Sequence, residues 1–310
     1  MKFTIVTPNY NYGRFLKKNL QSVLAQVESG LGPTGASSPS EHRNDAGRAE
    51  CDPRSFRVEH IVIDGGSTDD SVSILKDWAA FAAAQPAAKA GRYSFSYVSE
   101  PDKGQTDAVN KGLRRATGDV VAWLNADEWY EPGALSKMAS AFERRPKADL
   151  IYGEVRFVRT DGSTIRVKRD HRFSGFVLLW CGCYISSAAT FWRRRVLDAG
   201  DYLDASYKVC MDFEYWVRLW RHGYRFSFLP ATLASFTWHE NNVSEVFAAR
   251  RREERNKVQG LYAPRLLRTG SERARFSGSL GFLATQFHRA LVIERLVCLM
   301  LRSLLVFPSR

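Results

Sequence analysis

Nowhere in its 310 residues does the chain hold about 18 uncharged apolar residues in a row, so the sequence predicts no membrane-spanning helix. An apolar export segment is missing too: MKFTIVTPNY passes directly into a strand pattern, and the expectation is a protein that stays in the cytoplasm. Cysteine is scarce and odd in number. Of the five, at 51, 181, 183, 210 and 298, only Cys181 and Cys183 stand close, and that C-x-C has no second half. The pattern argues for free thiols in a reducing compartment over a disulfide frame or a zinc site. Two glycine-rich signatures are also absent. No G-x-G-x-x-G follows the first strand and G-x-x-x-x-G-K-[ST] occurs nowhere, which removes the usual backbone cradles for dinucleotides and for triphosphates in phosphoryl transfer.

What is present describes an ordinary core, with 45% hydrophobic and 25% charged residues. The net charge of +12 is unevenly placed, much of it after residue 247 in ARRREERNK and beyond. That distribution suits a solvated basic tail, or one drawn to anionic lipid headgroups, and no nucleic-acid partner is expected.

Short apolar runs alternate with helical spacing in the first half. FTIVTP (3–8) reads as a buried strand, and 13–27 carries apolar residues at 15, 16, 20, 23, 24 and 27, a helix spacing. From Glu28 to Arg57 the chain is rich in Gly, Pro, Ser and charge and reads as a mobile insertion (28–57). Strands are then predicted over 57–64, 93–100 and 119–125, and helices over 71–84, 105–116 and 132–145. The alternation implies an α/β fold: a Rossmann-like, mostly parallel central sheet with helices on both faces. Ligands of such sheets bind beyond the carboxyl ends of the strands.

Polar clusters stand at four of those ends: TPNYNYG, DGGSTDD, SEPDKGQTD and NADE. Singly, each has a structural explanation, since Asp64 can open a turn and Ser67 or Thr68 can cap a helix. Together they point to a binding site. Adjacent carboxylates such as Asp127 and Glu128 repel a diphosphate unless a divalent cation, Mg²⁺ or Mn²⁺, stands between them.

The blocks TPNYNYGRFLKKNLQSVLAQ, HIVIDGGSTDDS, SEPDKGQTDAVNKGLRRATGDVVAWLNADE and CMDFEYWVRL, in that order over residues 1 to 245, resemble family 2 of the inverting glycosyltransferases, on the GT-A fold. The resemblance implies a nucleoside-diphosphate sugar donor, UDP-sugar favoured, and a saccharide or lipid-linked saccharide acceptor in cell-surface polysaccharide synthesis. It places Pro8 and Tyr10 on the nucleobase and Asp64 as the first acid of a D-D-x-S pair whose second position is Gly65. Asp107 is then the candidate for a compensating contact. Asp127 falls nearer the ribose and Glu128 on the metal, where the family usually has Asp. Asp212 matches the acid of an E-D motif, the base, with Met211 in the Glu position. His239, in H-x-N-N-x-S, resembles a late His that can ligate the metal.

The residues themselves leave alternatives beside that implication. Residues 211–223 have apolar positions at 213, 216, 217 and 220, so Asp212 and Glu214 open an amphipathic helix and the dipole alone can account for an acid there. Glu214 points either to an acceptor hydroxyl or to Arg218. Trp180, Tyr184 and Trp192 are either sugar-stacking or core. Residues 246–310 form a basic and apolar helical tail outside the resemblance, in which 283–307 reads as a helix suited to a membrane interface or a partner helix. Attachment at the inner face of the cell membrane is the expectation. The rival classes are a non-catalytic saccharide-binding or assembly partner and a nucleotidyltransferase, and the latter would need a basic Gly-rich loop where TPNYNYG has only Arg14 nearby.

Overall fold

The computed structural model describes residues 1–28, 56–238 and 247–262. The body of the insertion, His239 and the apolar stretch 283–307 lie outside the described residues.

The first half follows the predicted alternation. β1 (Lys2–Asn9), α1 (Gly13–Glu28), β2 (Arg57–Asp64), α2 (Ser71–Ala84), α3 (Pro86–Lys89), β3 (Tyr93–Ser99), α4 (Gln105–Arg115) and β4 (Val120–Trp123) succeed one another, and all pairings among these strands are parallel. The second half comprises β5 (Glu128–Tyr130), α5 (Ala134–Arg144), β6 (Leu150–Val158), β7 (Thr164–Lys168), α6 (Gly175–Cys181), β8 (Thr190–Arg193), α7 (Arg195–Asp198), α8 (Met211–Arg221), β9 (Phe226–Thr237) and α9 (Ala248–Tyr262). One sheet runs β3-β2-β1-β4-β8-β6-β9-β5, with β7 beside β6. Antiparallel pairs enter at β4–β8, β8–β6, β9–β5 and β6–β7. β9 runs for 12 residues because it takes partners on both sides, β6 and β5, that no local pattern announces.

Alternation along the strands divides the core. Phe3 and Ile5 of β1 and Val120 and Ala122 of β4 pack with Leu16, Leu20, Leu75 and Leu135 on one face. Val6, Val121 and Trp123 turn to the other face, against Val109 of α4, Leu178 of α6 and Trp216 of α8. There Trp123 stacks on Trp216 at 5.7 Å and meets Trp192 edge-on at 5.8 Å, which ties α8 to the middle of the sheet. α4 lies so close to β1 that a Cβ at Gly112 would overlap Val6, so only glycine permits that approach.

His60 sits fully buried in β2, between Thr7 Oγ1 at 3.0 Å and the Tyr93 hydroxyl at 3.2 Å, and burial pushes its pKa down to about 3. Below about pH 6.5 the unfolded chain takes up a proton that the folded chain refuses, so stability falls by about 1.4 kcal/mol per pH unit between there and about pH 3. Urea unfolding at about pH 7 and about pH 5 should show that loss in the native protein and a smaller one in His60→Gln. Equal slopes would mean that His60 is charged in the fold.

Candidate active site

The parallel register places Asn9, Asp64 and Ser99 side by side at the carboxyl ends of β1, β2 and β3. Beyond them lies a cavity of about 870 Å³. Pro8, Asn9 and Tyr10 line it from the end of β1, Gly65 and Asp102 from the loops after β2 and β3, Asp127 and Glu128 from the turn after β4, and Met211 and Asp212 from the start of α8. Tyr10 is 58% exposed, a free ring face at the mouth, whereas Pro8 is buried beneath it in sequence.

Asp64 does a different job from the one the resemblance implies. Its carboxylate is fully buried and accepts four hydrogen bonds, from Asn9 Nδ2 (2.7 Å), Ser67 Oγ (2.5 Å), Ser67 N (3.0 Å) and Ser99 Oγ (2.6 Å). Burial alone would raise its pKa, but the Ser67, Ser99 and Asn9 bonds hold it below the usual carboxylate range. Asp64 thus fastens three strand ends together and is absent from the cavity lining. Asp107 is also elsewhere: it accepts from Lys103 N at 3.1 Å and faces Lys111 at 3.8 Å, so the compensating acid is not this one. The carboxylate beside Gly65 is that of Asp102.

The turn bearing Asp127 and Glu128 is pinned from below. Asn19 of α1, fully buried among Leu16, Leu20 and Val23, donates through Nδ2 to the carbonyls of Asn125 and Glu128, both at 2.9 Å. The sequence signal was there, a polar residue on the apolar face of a predicted helix, but it named no partner. Glu128 is 2% exposed and its Oε2 accepts from Asn125 N at 2.8 Å. Burial first, and the neighbouring Asp127 second, push its pKa up to about 8, with Asp212 adding to the repulsion. A divalent cation beside Glu128 would relieve the repulsion that Asp127 and Asp212 exert on its ionised form, so the residues fit such an ion. Among the described residues no group of three His, Cys, Asp or Glu side chains is placed to hold a metal ion, so further oxygens would have to complete the coordination.

Asp212 stands in the first turn of α8, half-buried, with Oδ1 accepting from Phe213 N at 2.7 Å. Burial pushes its pKa up to about 6, and the Cys183 thiol lies 3.9 Å from Oδ2. A carboxylate poised near neutral and facing a cavity is suited to take a proton. Met211 packs inward, its sulfur 3.0 Å from the Thr106 hydroxyl of α4. Glu214 turns away from the cavity: it is 2% exposed, holds Arg218 at 2.8 and 3.1 Å and accepts from the Tyr262 hydroxyl at 3.0 Å. Of its two open readings, the structural arginine is the one realised, which corrects its place among the substrate contacts. Trp180, Tyr184 and Trp192 are all buried in the core rather than offered to a sugar.

Sequence reasoning missed Glu254. It lies on α9, in the segment assigned to the tail, yet α9 packs on α8 and α6. The Glu254 carboxylate is 6% exposed and accepts from the backbone N–H groups of Lys208, Val209 and Cys210, each at 2.9 Å, while Arg250 holds it at 2.8 Å. Burial would raise its pKa, and those bonds keep it lowered. These three amides lead directly into Met211 and Asp212, so the start of α8 is held by a side chain from some forty residues downstream. Within ARRREERNK, no local pattern separates this acid from a solvated one.

The sequence matches the model of the glycosyl transferase family 2 over residues 4–201. An uncharacterized glycosyltransferase of Nostoc sp. is 25% identical over 208 residues, 64% of this chain but only 52% of that protein. A PGL/p-HBAD biosynthesis glycosyltransferase of Mycobacterium bovis is 26% identical over 171 residues, 52% of this chain and 57% of its own. The chain thus spans little more than half the length of these relatives. Among solved structures, the S. aureus TarS fragment 1–349 in complex with UDP superposes with a TM-score of 0.50 at 16% identity, covering 84% of this chain and 70% of that one. The mannosyltransferase PcManGT from Pyrobaculum calidifontis, in complex with GDP-Man and Mn²⁺, gives 0.53 at 17% identity, with 87% and 65% covered. The sheet order and helix placement are those of the GT-A fold, and with its family match extending over more than half its length the chain belongs to glycosyl transferase family 2.

Proposed function

We propose that the chain transfers a sugar, with inversion, from a nucleoside-diphosphate sugar to a hydroxyl of a saccharide or lipid-linked saccharide acceptor, in the synthesis of a cell-surface polysaccharide. The observation that carries the reading is the meeting of Asp127, Glu128 and Asp212 on one cavity with the exposed ring of Tyr10, from chain segments some two hundred residues apart. The ligands named for the structural neighbours, UDP, UDP-GlcNAc and GDP-Man with Mn²⁺, are consistent with it.

In this reading Tyr10 stacks on the base and Asp127 takes the ribose. Glu128 and His239 hold a divalent cation, which when bound supplies positive charge to the departing diphosphate. His239 lies outside the described residues; β9, two residues before it, ends against this turn, where Thr237 Oγ1 donates to the Asp127 carbonyl at 2.8 Å. Asp212 accepts the acceptor's hydroxyl proton as the new bond to the anomeric carbon forms and the bond to the diphosphate breaks. The basic and apolar stretch 283–307 is proposed as the attachment to the membrane surface, and deletion of 279–310 should move the protein from the membrane pellet to the supernatant. Continued sedimentation would place the contact elsewhere.

Calorimetric titration of UDP, GDP and dTDP, each with Mn²⁺ and with chelator, tests the donor site. Cation-dependent binding of one of them is expected, and binding of none would remove the reading. Glu128→Ala should cost at least about 10–100-fold in the cation-dependent part of the affinity and leave binding in chelator unchanged. An equal loss in both conditions would mean that Glu128 is no ligand. The anomeric configuration of the product, read by NMR, decides inversion.

A further inference from the structure

Two hydrogen-bond acceptors, from Asp102 and Asn9, stand on the lining of the cavity. At Gly65 an added Cβ would stand 2.5 Å from Asp102 Oδ2 and 3.0 Å from its Cγ. The Gly65 backbone is not in the left-handed region, so glycine is needed there for the space that the carboxylate occupies. Asp102 is fixed in that space because its Oδ1 accepts from Gly104 N at 2.7 Å, closing the turn after β3. This is the only hydrogen bond to Asp102 among the described residues, and it leaves Oδ2 able to accept another. The Lys111 ammonium, which feels the Asp102 charge, is held by Glu100 at 2.9 Å.

The second acceptor belongs to the same lining. Asn9 is 4% exposed and lines the cavity, with its Nδ2 committed to Asp64 Oδ1 at 2.7 Å and Ser67 Oγ at 3.3 Å. Those acceptors fix the orientation of the amide, and the buried Oδ1 that results receives no hydrogen bond among the described residues. A group that satisfies both acceptors must therefore bring hydrogen-bond donors. The Tyr10 ring, exposed on the same cavity, offers a face to a planar group. A planar nucleobase fits that face, and its ring nitrogen divides the bases: uracil, thymine and guanine carry a proton on the ring nitrogen of their pairing edge, whereas cytosine and adenine have only an amino donor beside a ring lone pair, which a carboxylate repels.

We propose that Asp102 is the residue that selects the donor's nucleobase, accepting the ring N–H of a uracil, thymine or guanine through Oδ2 and rejecting cytosine and adenine. The inference rests on the nucleotide-sugar reading of this cavity, and it assigns the choice of base to the loop after β3. A site built to accept a hydrogen bond discriminates strongly against a ligand that lacks the donor, because its own acceptor is then left buried and unpaired.

The test pairs each base with its counterpart lacking the ring proton: UDP with CDP and GDP with ADP, titrated with Mn²⁺ into the native protein, Asp102→Asn and the double variant Gly65→Asp, Asp102→Ala. The native protein should favour UDP over CDP, or GDP over ADP, by about 10–100-fold. Asp102→Asn keeps the shape of the side chain but offers an amide that can donate to a lone pair, and it should cut that preference at least about tenfold. The double variant places a carboxylate on the other side of the same space and should restore part of it. A native preference for CDP or ADP overturns the proposal, as does a ratio unchanged in Asp102→Asn. Binding of no nucleotide by the native protein overturns the donor-site reading itself, a result that no variant is needed to see.

Discussion

Replacing Asp212 by asparagine should lower turnover by about 10²–10⁴ while leaving nucleotide affinity nearly unchanged, because the amide keeps the shape of the side chain and loses the ability to take a proton. The pH dependence supplies a second readout. Burial raises the Asp212 pKa to about 6, so in the native protein the ionised base is lost as pH falls below that value, and the rate should drop about tenfold per pH unit there and level off above it. The residual rate of Asp212→Asn should lack this limb. Stability should move the other way. A carboxyl whose folded pKa lies above its unfolded value of 3.8 favours the unfolded state as pH rises through that window, so at neutral pH its ionisation costs the native state about 1–3 kcal/mol. Asp212→Asn is then expected to raise the denaturation midpoint at about pH 7 as it abolishes activity. Unchanged turnover would remove Asp212 as the base, and a lower midpoint would mean that its ionised form is stabilised by the fold.

Glu254→Ala should be the most disruptive single change outside the cavity. It strips the acceptor from three backbone amides, those of Lys208, Val209 and Cys210, and each buried donor left without a partner costs about 1–3 kcal/mol. A loss of several kcal/mol in chemical unfolding is expected. Glu254→Gln offers one neutral oxygen in place of the carboxylate and should fall between the two. Below the melting temperature, both variants should lose turnover more than nucleotide affinity, since the loosened segment precedes Asp212, while the turn after β4 is held separately by Asn19. If Glu254→Ala unfolds as the native protein does, the three bonds do not form in solution. If affinity falls in step with turnover, Glu254 supports the whole domain rather than the start of α8.

The difference in reach between these two residues follows how far each could be read from the chain. Asp212 was visible because it opens an amphipathic helix whose apolar positions recur at helical spacing, and the resemblance supplied its role. Glu254 was not visible, since its partners are backbone amides and backbone amides carry no sequence signature. The same reason divides the strand ends. The polar clusters after β1 to β4 were legible because a parallel sheet forces its carboxyl ends to one edge, and the register confirms that edge residue by residue. Which acid at that edge faces the cavity and which is consumed by the fold was not legible. Asp64 and Asp102 are both acids in polar turns, and only the positions of Asn9, Ser67, Ser99 and Gly65 around them separate a buried keystone from a carboxylate with an oxygen to spare.

The sequence by itself determined the alternation of strands and helices over the first 145 residues, the two faces of the sheet, and the presence of the carboxylates at its edge. These depend on periodicity and on turn chemistry, which are local. The tertiary structure alone decided the mixed second half of the sheet, the burial of Trp180, Tyr184 and Trp192, the turning of Glu214 onto Arg218, and the return of α9 to brace the segment before Asp212. Each of these is a choice of partner between residues distant in the chain, settled by which buried donor or apolar face would otherwise be left unmatched.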